Sequence, residues 1–336
     1  MRYEGVMKTD SGITVLGAGA WGTALANLYA ECGRVTLWCF QQEQADKIST
    51  ARENVDFLPG TSLHDNVVVT ADAKSLAASK VILLVVPTQF VPDVLSGLKN
   101  DLPESAPVVI CGKGIHVQSQ KLLPEIAAEI LPDHSIAVLS GPNLAPEVAR
   151  GLPAAATIAA KDDETAKMIA GYLRTPAFRP YASTDVIGVA LAGALKNVIA
   201  LASGMVIGAG LGENAQAAII TRGMAEIARL GAAMGARPET FMSLAGIGDM
   251  MLTCHAKTSR NFSCGFALGQ GQSLSDIMAS RNSVTEGVTT VGPALALAEK
   301  YKIELPICAV VASVLNDEMN VGAALAQLMA RPLKTE

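Results

Sequence analysis

Between Val186 and Gly212 the chain reads VIGVALAGALKNVIALASGMVIGAGLG, with Lys196 as its sole charge. A helix that is apolar on every side has to be buried. An ammonium group among Leu, Val, Ile and Ala loses hydration, which favours the neutral amine and brings its pKa toward working pH. An amine tuned in this way can give and retake a proton, as a general acid must. The plainer alternative is a lysine whose stem lies on apolar surface while its head reaches water. The run is long enough to span a bilayer. A mid-run lysine is costly in lipid, though, and the glycines and the acidic flanks Asp185 and Glu213 fit a buried helix of a soluble protein better.

A chain of 336 residues accommodates two domains. Half of it is hydrophobic, rich in Ala and Gly and poor in aromatics, so its elements can approach closely. The net charge of −5 argues against a nucleic-acid binder that neutralises many phosphates. It leaves room for a small anion held by a local cluster of Lys and Arg. The cysteines (Cys32, Cys39, Cys111, Cys254, Cys264, Cys308) form no CxxC pair and no zinc-like spacing with His, so no metal site is expected and most read as reduced core thiols. The start, MRYEGVMKTDSG, carries acids and no apolar signal core. We expect a cytoplasmic protein with no stable membrane insertion, a leader over 1–12 and a tail over 331–336.

Ile13–Leu16 is an apolar run that ends in Gly17-Ala18-Gly19-Ala20-Trp21-Gly22; a helical pattern follows to Gly33, and Val35–Trp38 reads as a second strand. Strand, GxGxxG, helix, strand is the dinucleotide-binding arrangement. Gly17 permits the tight turn, Gly19 lets backbone approach a pyrophosphate, and Gly22 lets the helix pack on the strand. N–H groups at the helix start then face the phosphates. After the second strand an NAD site usually carries Asp or Glu, and an NADP site an Arg. Here stand Cys39, Phe40, Gln41, Gln42 and Glu43, which meet neither pattern; Phe40 suits stacking on adenine or a place in the core. Further apolar runs at Val67–Thr70, Val81–Val86, Val108–Cys111, Ile136–Leu139, Ala155–Ala159 and Phe178–Tyr181 alternate with helical segments. Such a pattern predicts a mostly parallel, doubly wound Rossmann-type sheet over 13–184, with ligands off the carboxyl ends of its strands. Gly17, Pro87, Lys113 and Gly141 lie just past those ends. Lys113, between two glycines, reads as a site residue or as a solvated loop lysine.

From Asp185 the pattern turns helical, and an all-α domain is expected over 185–330. Asp249 follows two glycines in LAGIGD, where its carboxylate can orient the lysine amine or a substrate hydroxyl, or simply cap a helix. Ser259, Arg260 and Asn261 make a dense set of donors; Arg matches phosphate geometry in a bidentate way. A capping turn is the plainer reading. His255 reads as a loop residue, and the glycines from Gly265 to Gly271 as structural. Glu286 in VTEG offers a carboxylate for a ribose or an amide.

The stretches GAGAWGTALA, CGKGI, SGPNLAPEVA, GALKNVIALASG, ITRGMAEIARLG, LAGIGDMMLTC, SRNFSCGFALGQG and VTEGVTT, in this order, resemble the NAD(P)-dependent glycerol-3-phosphate dehydrogenases of the bacterial soluble type, from about Ile13 to Leu328. GxGxxG fits many families; GALKN with LAGxGD and SRN is far more selective. The resemblance implies reversible reduction of dihydroxyacetone phosphate to sn-glycerol 3-phosphate by NADPH or NADH, for glycerophospholipid synthesis, in a homodimer. It implies Lys196 as general acid/base. It implies Lys113, Gly141, Asn143, Lys196, Asp249, Ser259, Arg260 and Asn261 as substrate contacts, and Ala20, Trp21, Lys113, Ala145, Arg260, Val284 and Glu286 as cofactor contacts beside the glycine turn and Phe40. Asn143 stands where Ser or Thr is common, and Phe40 where a basic or polar residue is common. Two rivals are a two-domain 3-hydroxyacid or 6-phosphogluconate-like dehydrogenase and a non-catalytic NAD(P)-binding regulator.

Overall fold

The computed structural model describes residues 10–281 and 284–332. They form two compact units. One comprises residues up to Gly112, Leu123–Leu139 and Asn143–Val186; the other comprises Lys113–Leu122, Ser140–Pro142 and the chain from Ile187 on.

The first unit is built on strands β1 (Asp10–Leu16), β2 (Arg34–Trp38), β3 (Val67–Thr70), β4 (Val81–Leu84), β5 (Val108–Ile110), β6 (Ile136–Ser140), β7 (Ala154–Ala160) and β8 (Phe178–Ser183). Between them run α1 (Ala20–Ala30), α2 (Gln42–Ala51), α3 (Val91–Leu98), α4 (Leu123–Ile130), α5 (Ala145–Ala149) and α6 (Asp163–Tyr172). The sheet order is β3-β2-β1-β4-β5-β6-β7-β8, and β1 pairs in parallel with both β2 and β4. The order reverses beside β1, so the carboxyl end of that strand is the switch point where open α/β sheets bind ligands. Val15, Leu37 and Leu83, neighbours across the three strands, are fully buried, as strands covered on both faces require. The apolar run read at Phe178–Tyr181 lies in β8, an edge strand of the sheet that continues to Ser183.

The first strand begins at Asp10, ahead of the Ile13 start that apolar periodicity suggests, so residues 10–12 of the expected leader belong to the sheet. Polar bonds hold this extension. The Ser11 hydroxyl donates to Arg34 O at 2.5 Å, and the backbone carbonyl of Ser11 accepts from the Tyr172 hydroxyl. Residues 1–9 of that leader and 333–336 of the tail lie outside the described residues.

The second unit is helical, and among the described residues no strand follows β8. Its helices are α7 (Val186–Gly208), α8 (Glu213–Ala233), α9 (Pro238–Phe241), α10 (Asp249–His255), α11 (Arg260–Gly269), α12 (Leu274–Ala279), α13 (Glu286–Lys300), α14 (Pro306–Leu315) and α15 (Val321–Met329). Helix α7 occupies most of the apolar stretch of 186–212. It is long and apolar enough to cross a membrane by composition, but 83% of its most apolar window is buried inside the protein. Pro306 starts α14, where its missing N–H costs nothing. The Glu226 carboxylate of α8 accepts from Ile307 N (2.8 Å) at that helix start, and burial raises its pKa to about 7.

The two units interleave in sequence. Residues 113–122 leave the sheet and join the helical unit because Ile115 and Leu122, bridged to each other, sit fully buried in its core.

Helices α7 and α11 meet backbone to backbone through glycines on both. A Cβ on Gly204 or Gly208 would fall 2.1 Å from the carbonyl oxygen of Phe262 or Phe266, and one on Gly265 would fall 2.0 Å from Leu201 O. The spacing that looked structural in the sequence therefore sets how closely α11 approaches the helix carrying Lys196. Gly265→Ala is expected to destabilise the protein by about 2 kcal/mol, since backbone has to shift to admit the methyl. Gly292→Ala, facing open space in α13, is expected to be neutral or up to about 1 kcal/mol stabilising. Urea unfolding of the two variants checks this; equal midpoints would contradict the close-packing account.

Candidate active site

In the first unit the residues after β1 form a cradle. Gly17 has φ +109°, and a Cβ there would lie 3.0 Å from the Val85 carbonyl; one on Gly22 would lie 1.9 Å from Gly17 O. Both positions need glycine, one for its conformation and one for close approach. Gly19 caps α1 with no side-chain bond, and a Cβ there would meet nothing within 4 Å. With no acid in the first turn of α1, its start presents N–H groups to open space, which suits a pyrophosphate. Ala20 and Trp21 open that helix. The turn is braced by side chains that motif reasoning did not single out. Asn54 and Gln44 both donate to Ala18 O, at 2.9 and 3.1 Å, and Asn54 also donates to the Thr23 hydroxyl. Asn54 is buried 36 positions from its acceptor, so local periodicity carries no sign of it. Phe40 is 73% exposed and meets Trp38 edge-on, so it is not a core residue.

In the second unit a buried carboxylate joins two lysines. Asp249 Oδ1 accepts from Lys196 Nζ at 2.5 Å, and Asp249 Oδ2 accepts from Lys113 Nζ at 2.5 Å. Lys196 Nζ also donates to the Thr253 hydroxyl at 2.6 Å, and Lys113 Nζ reaches Gly141 O at 3.3 Å. The local fold explains this arrangement. Leu244–Gly248 makes a wide π-type turn, and Gly246 is pressed so closely on Phe241 that a Cβ would lie 2.2 Å from its carbonyl oxygen. Ser243 caps that turn, so Asp249 is not a cap; it begins α10 and points inward, with Thr253 one turn later on the same face. Gly193, one turn before Lys196, leaves room for Ser140 Oγ and the stem of Lys113.

Burial pushes the Lys196 pKa down from 10.5 to about 8; Asp249 opposes this and Lys113 adds to it. Burial alone would raise the Asp249 carboxyl, but the ammonium groups of Lys113 and Lys196 outweigh it and hold its pKa below the usual value. The group therefore holds two cations on one anion.

A line of amides runs from this group. Asn197 Nδ2 donates to Lys113 O at 3.1 Å, Asn261 Nδ2 donates to Asn197 Oδ1 at 2.9 Å, and Gly287 N donates to Asn261 Oδ1 at 2.9 Å. Ser259 caps α11 through Phe262 N, the plainer of its two readings, and exposed Arg260 follows it. Glu286 begins α13, beside Val284, and acts electrostatically on Arg260. Asn143 lies in the first unit, where its amide donates to Ala155 O at 3.2 Å and its buried Oδ1 has no hydrogen-bond partner among the described residues; Ala145 begins α5 close by in sequence. The structure thus joins Lys113, Gly141, Lys196 and Asp249 directly, and links Asn261 to them through Asn197. Thr253 and Asn197 were not anticipated. The i,i+4 spacing from Asp249 and the adjacency to Lys196 are the signals that point to them.

A glycine cradle at the switch point of a parallel sheet, in a chain that also buries a carboxylate-held lysine, defines a Rossmann-type oxidoreductase. The N-terminal domain of NAD-dependent glycerol-3-phosphate dehydrogenase matches residues 12–166, and its C-terminal domain matches residues 185–326. This chain belongs to that family. It is 48% identical over 326 residues to a glycerol-3-phosphate dehydrogenase (NAD(P)+) of Rhodospirillum rubrum, covering 96% of this chain and 93% of the relative. The Caulobacter vibrioides enzyme of the same name is also 48% identical, over 96% and 98% of the two chains. The crystal structure of glycerol-3-phosphate dehydrogenase from Coxiella burnetii matches with a TM-score of 0.91 at 35% identity, over 95% of this chain and 98% of that one.

With a folded pKa of about 8 against 10.5, Lys196 binds fewer protons in the native than in the unfolded protein between those values. Its charge therefore costs stability below pH 8, and the cost is relieved as pH rises toward 10.5. Asp249→Asn removes the shared anion and is expected to cost about 3 kcal/mol near pH 7. The deficit against wild type should shrink toward pH 10, where the amine is neutral. Thermal unfolding of both proteins across this range checks it; a deficit independent of pH would contradict the charge-sharing account.

Proposed function

We propose that this chain reduces dihydroxyacetone phosphate reversibly to sn-glycerol 3-phosphate with NADH or NADPH, and that Lys196 is its general acid/base. The observation that carries the proton-transfer role is the buried Lys196 ammonium, held by Asp249 and Thr253, in a member of this family. When bound, the nicotinamide supplies the hydride. Gly17, Gly19 and the start of α1, with Ala20 and Trp21, would hold the dinucleotide's pyrophosphate.

An ammonium has three donors, and Asp249 and Thr253 take two from Lys196. The third is available to the ketone oxygen. As that oxygen gains charge, the ammonium stabilises it and then gives up its proton. A pKa of about 8 suits both directions: near neutrality the amine is mostly protonated, yet it loses its proton readily. Asp249 keeps the amine oriented and offsets its desolvation. Lys113 lies on the other oxygen of the same carboxylate and also donates to Gly141 O, and Lys113 and Gly141 serve as substrate contacts. Arg260 and Asn261 grip the phosphate, so positioning comes from a group that never reacts. The product serves glycerophospholipid synthesis in the cytoplasm, and the working enzyme is a homodimer; the support for these two statements is the family likeness.

Lys196→Ala is expected to keep the fold and dinucleotide binding and to lose turnover by about three orders of magnitude. In wild type, kcat/KM for ketone reduction should fall about tenfold per pH unit above about pH 8, as the proton donor is lost. Steady-state assays with dihydroxyacetone phosphate test both; near-normal turnover in the variant would end the assignment. Arg260→Ala should lower kcat/KM for the phosphorylated ketone by about 100-fold, chiefly through KM. Unchanged constants would remove Arg260 from the phosphate site.

A further inference from the structure

We infer that this chain prefers NADH to NADPH, because the residues that read the adenosine ribose carry no free cation and include an acid. The inference rests on the dinucleotide reading above. The two cofactors differ by one phosphate on the adenosine 2′ oxygen. Sites of this fold read that position with residues just after the second strand, some 20 residues beyond the glycine turn, and a site for the phosphate supplies Arg there.

Here the geometry ties that strand exit to the glycine turn. Gly17 N donates to Trp38 O at 3.0 Å, the last residue of β2, and Gln44 of α2 donates to Ala18 O at 3.1 Å. A ribose attached to a pyrophosphate on this turn therefore falls beside residues 40–43. Phe40 presents an exposed ring, a flat apolar face suited to a base. Gln41 is exposed and neutral, with no capping bond, and its amide can both donate to and accept from ribose hydroxyls. The Gln42 amide is committed to Asp46 at 2.8 Å. Glu43, in the first turn of α2, is exposed and anionic, so a 2′-phosphate would meet like charge.

The nearby cations are mostly spent. Lys47 is paired with Asp56 at 2.6 Å, and both terminal nitrogens of Arg52 donate to the carbonyls of Val67 and His64, at the opposite end of β3. Lys74 is exposed in the short turn that follows β3, and its backbone N–H is held by the Asp72 carboxylate at 3.0 Å, which puts an acid beside it. Near the carboxyl ends of β2 and β3, Glu43, Asp46 and Asp72 stand against Lys74, while Lys80 lies at the far end, just before β4.

Isothermal titration calorimetry with NADH and with NADPH, at one ionic strength, tests this without any reaction. The dissociation constant for NADH should be about tenfold or more below that for NADPH. Phe40→Arg should shift the ratio of the two dissociation constants about tenfold toward NADPH. Glu43→Gln should shift that ratio several-fold in the same direction. Both positions are exposed, so neither change disturbs the core. Wild-type affinity for NADPH equal to or above that for NADH would overturn the preference while leaving the dinucleotide reading intact. If Lys74→Ala then abolished that affinity, the phosphate would belong to Lys74. Binding of neither dinucleotide would overturn the dinucleotide reading and the preference with it.

Discussion

Asp249 is the group on which the buried charges of the helical unit depend. Helix α7 is apolar on all sides and buried, and an unpaired ammonium in such a place is expensive enough to drive it neutral. Asp249 keeps Lys196 charged near neutrality by placing a carboxylate 2.5 Å away, and Lys113 in turn helps to keep that carboxylate ionised. Burial works against the charge of both Lys196 and Asp249, and each supports the other's. Breaking such a buried arrangement by removing one member is far more damaging than replacing all of it. The wide turn over Leu244–Gly248 and the glycine contacts of α7 with α11 are the backbone conditions that let the three groups meet.

Much of this was legible in the sequence, and what was legible shares a property: it is local. The strand, glycine turn, helix and strand of Ile13 to Trp38 declare themselves because each glycine has a separate steric task within a few residues. Lys196 stands out because one charge in a long apolar run breaks the pattern around it. Asp249 stands out because two glycines precede it. The less legible features are long-range. Asn54 braces Ala18 from 36 positions away. The loop of residues 113–122 follows a strand of the sheet yet packs with the helices, since two apolar residues, Ile115 and Leu122, find their core there. The extension of β1 to Asp10 rests on a hydroxyl bond from Ser11, which apolar periodicity cannot register.

Glycine shows how one residue type carries unrelated messages. At Gly17 the backbone conformation needs it, at Gly22 and Gly246 a neighbouring carbonyl needs it, and at Gly204, Gly208 and Gly265 a whole helix does. At Gly19 no described residue needs it: a Cβ would meet open space. A vacant face inside a turn that is otherwise tightly braced leaves room for a ligand to approach the backbone. The cradle is therefore marked as much by the glycine that packing does not require as by those that it does.

The charge balance of the lysine–aspartate group fits the proposed reaction. Two ammonium groups and one carboxylate leave an excess of one positive charge, which suits an anionic substrate. In the proposed step Lys196 would give its proton to the developing alkoxide, leaving the group neutral and the new hydroxyl neutral, so no unpaired charge would be left buried. The reverse reaction begins from that neutral state and restores the cation. A lysine of ordinary pKa would resist the first change, and one driven far below neutrality would lack the proton to give. Burial and the shared aspartate pull Lys196 in opposite directions, and a value of about 8 is where they meet. An amine poised there suits the proposed proton transfer in both directions near neutral pH.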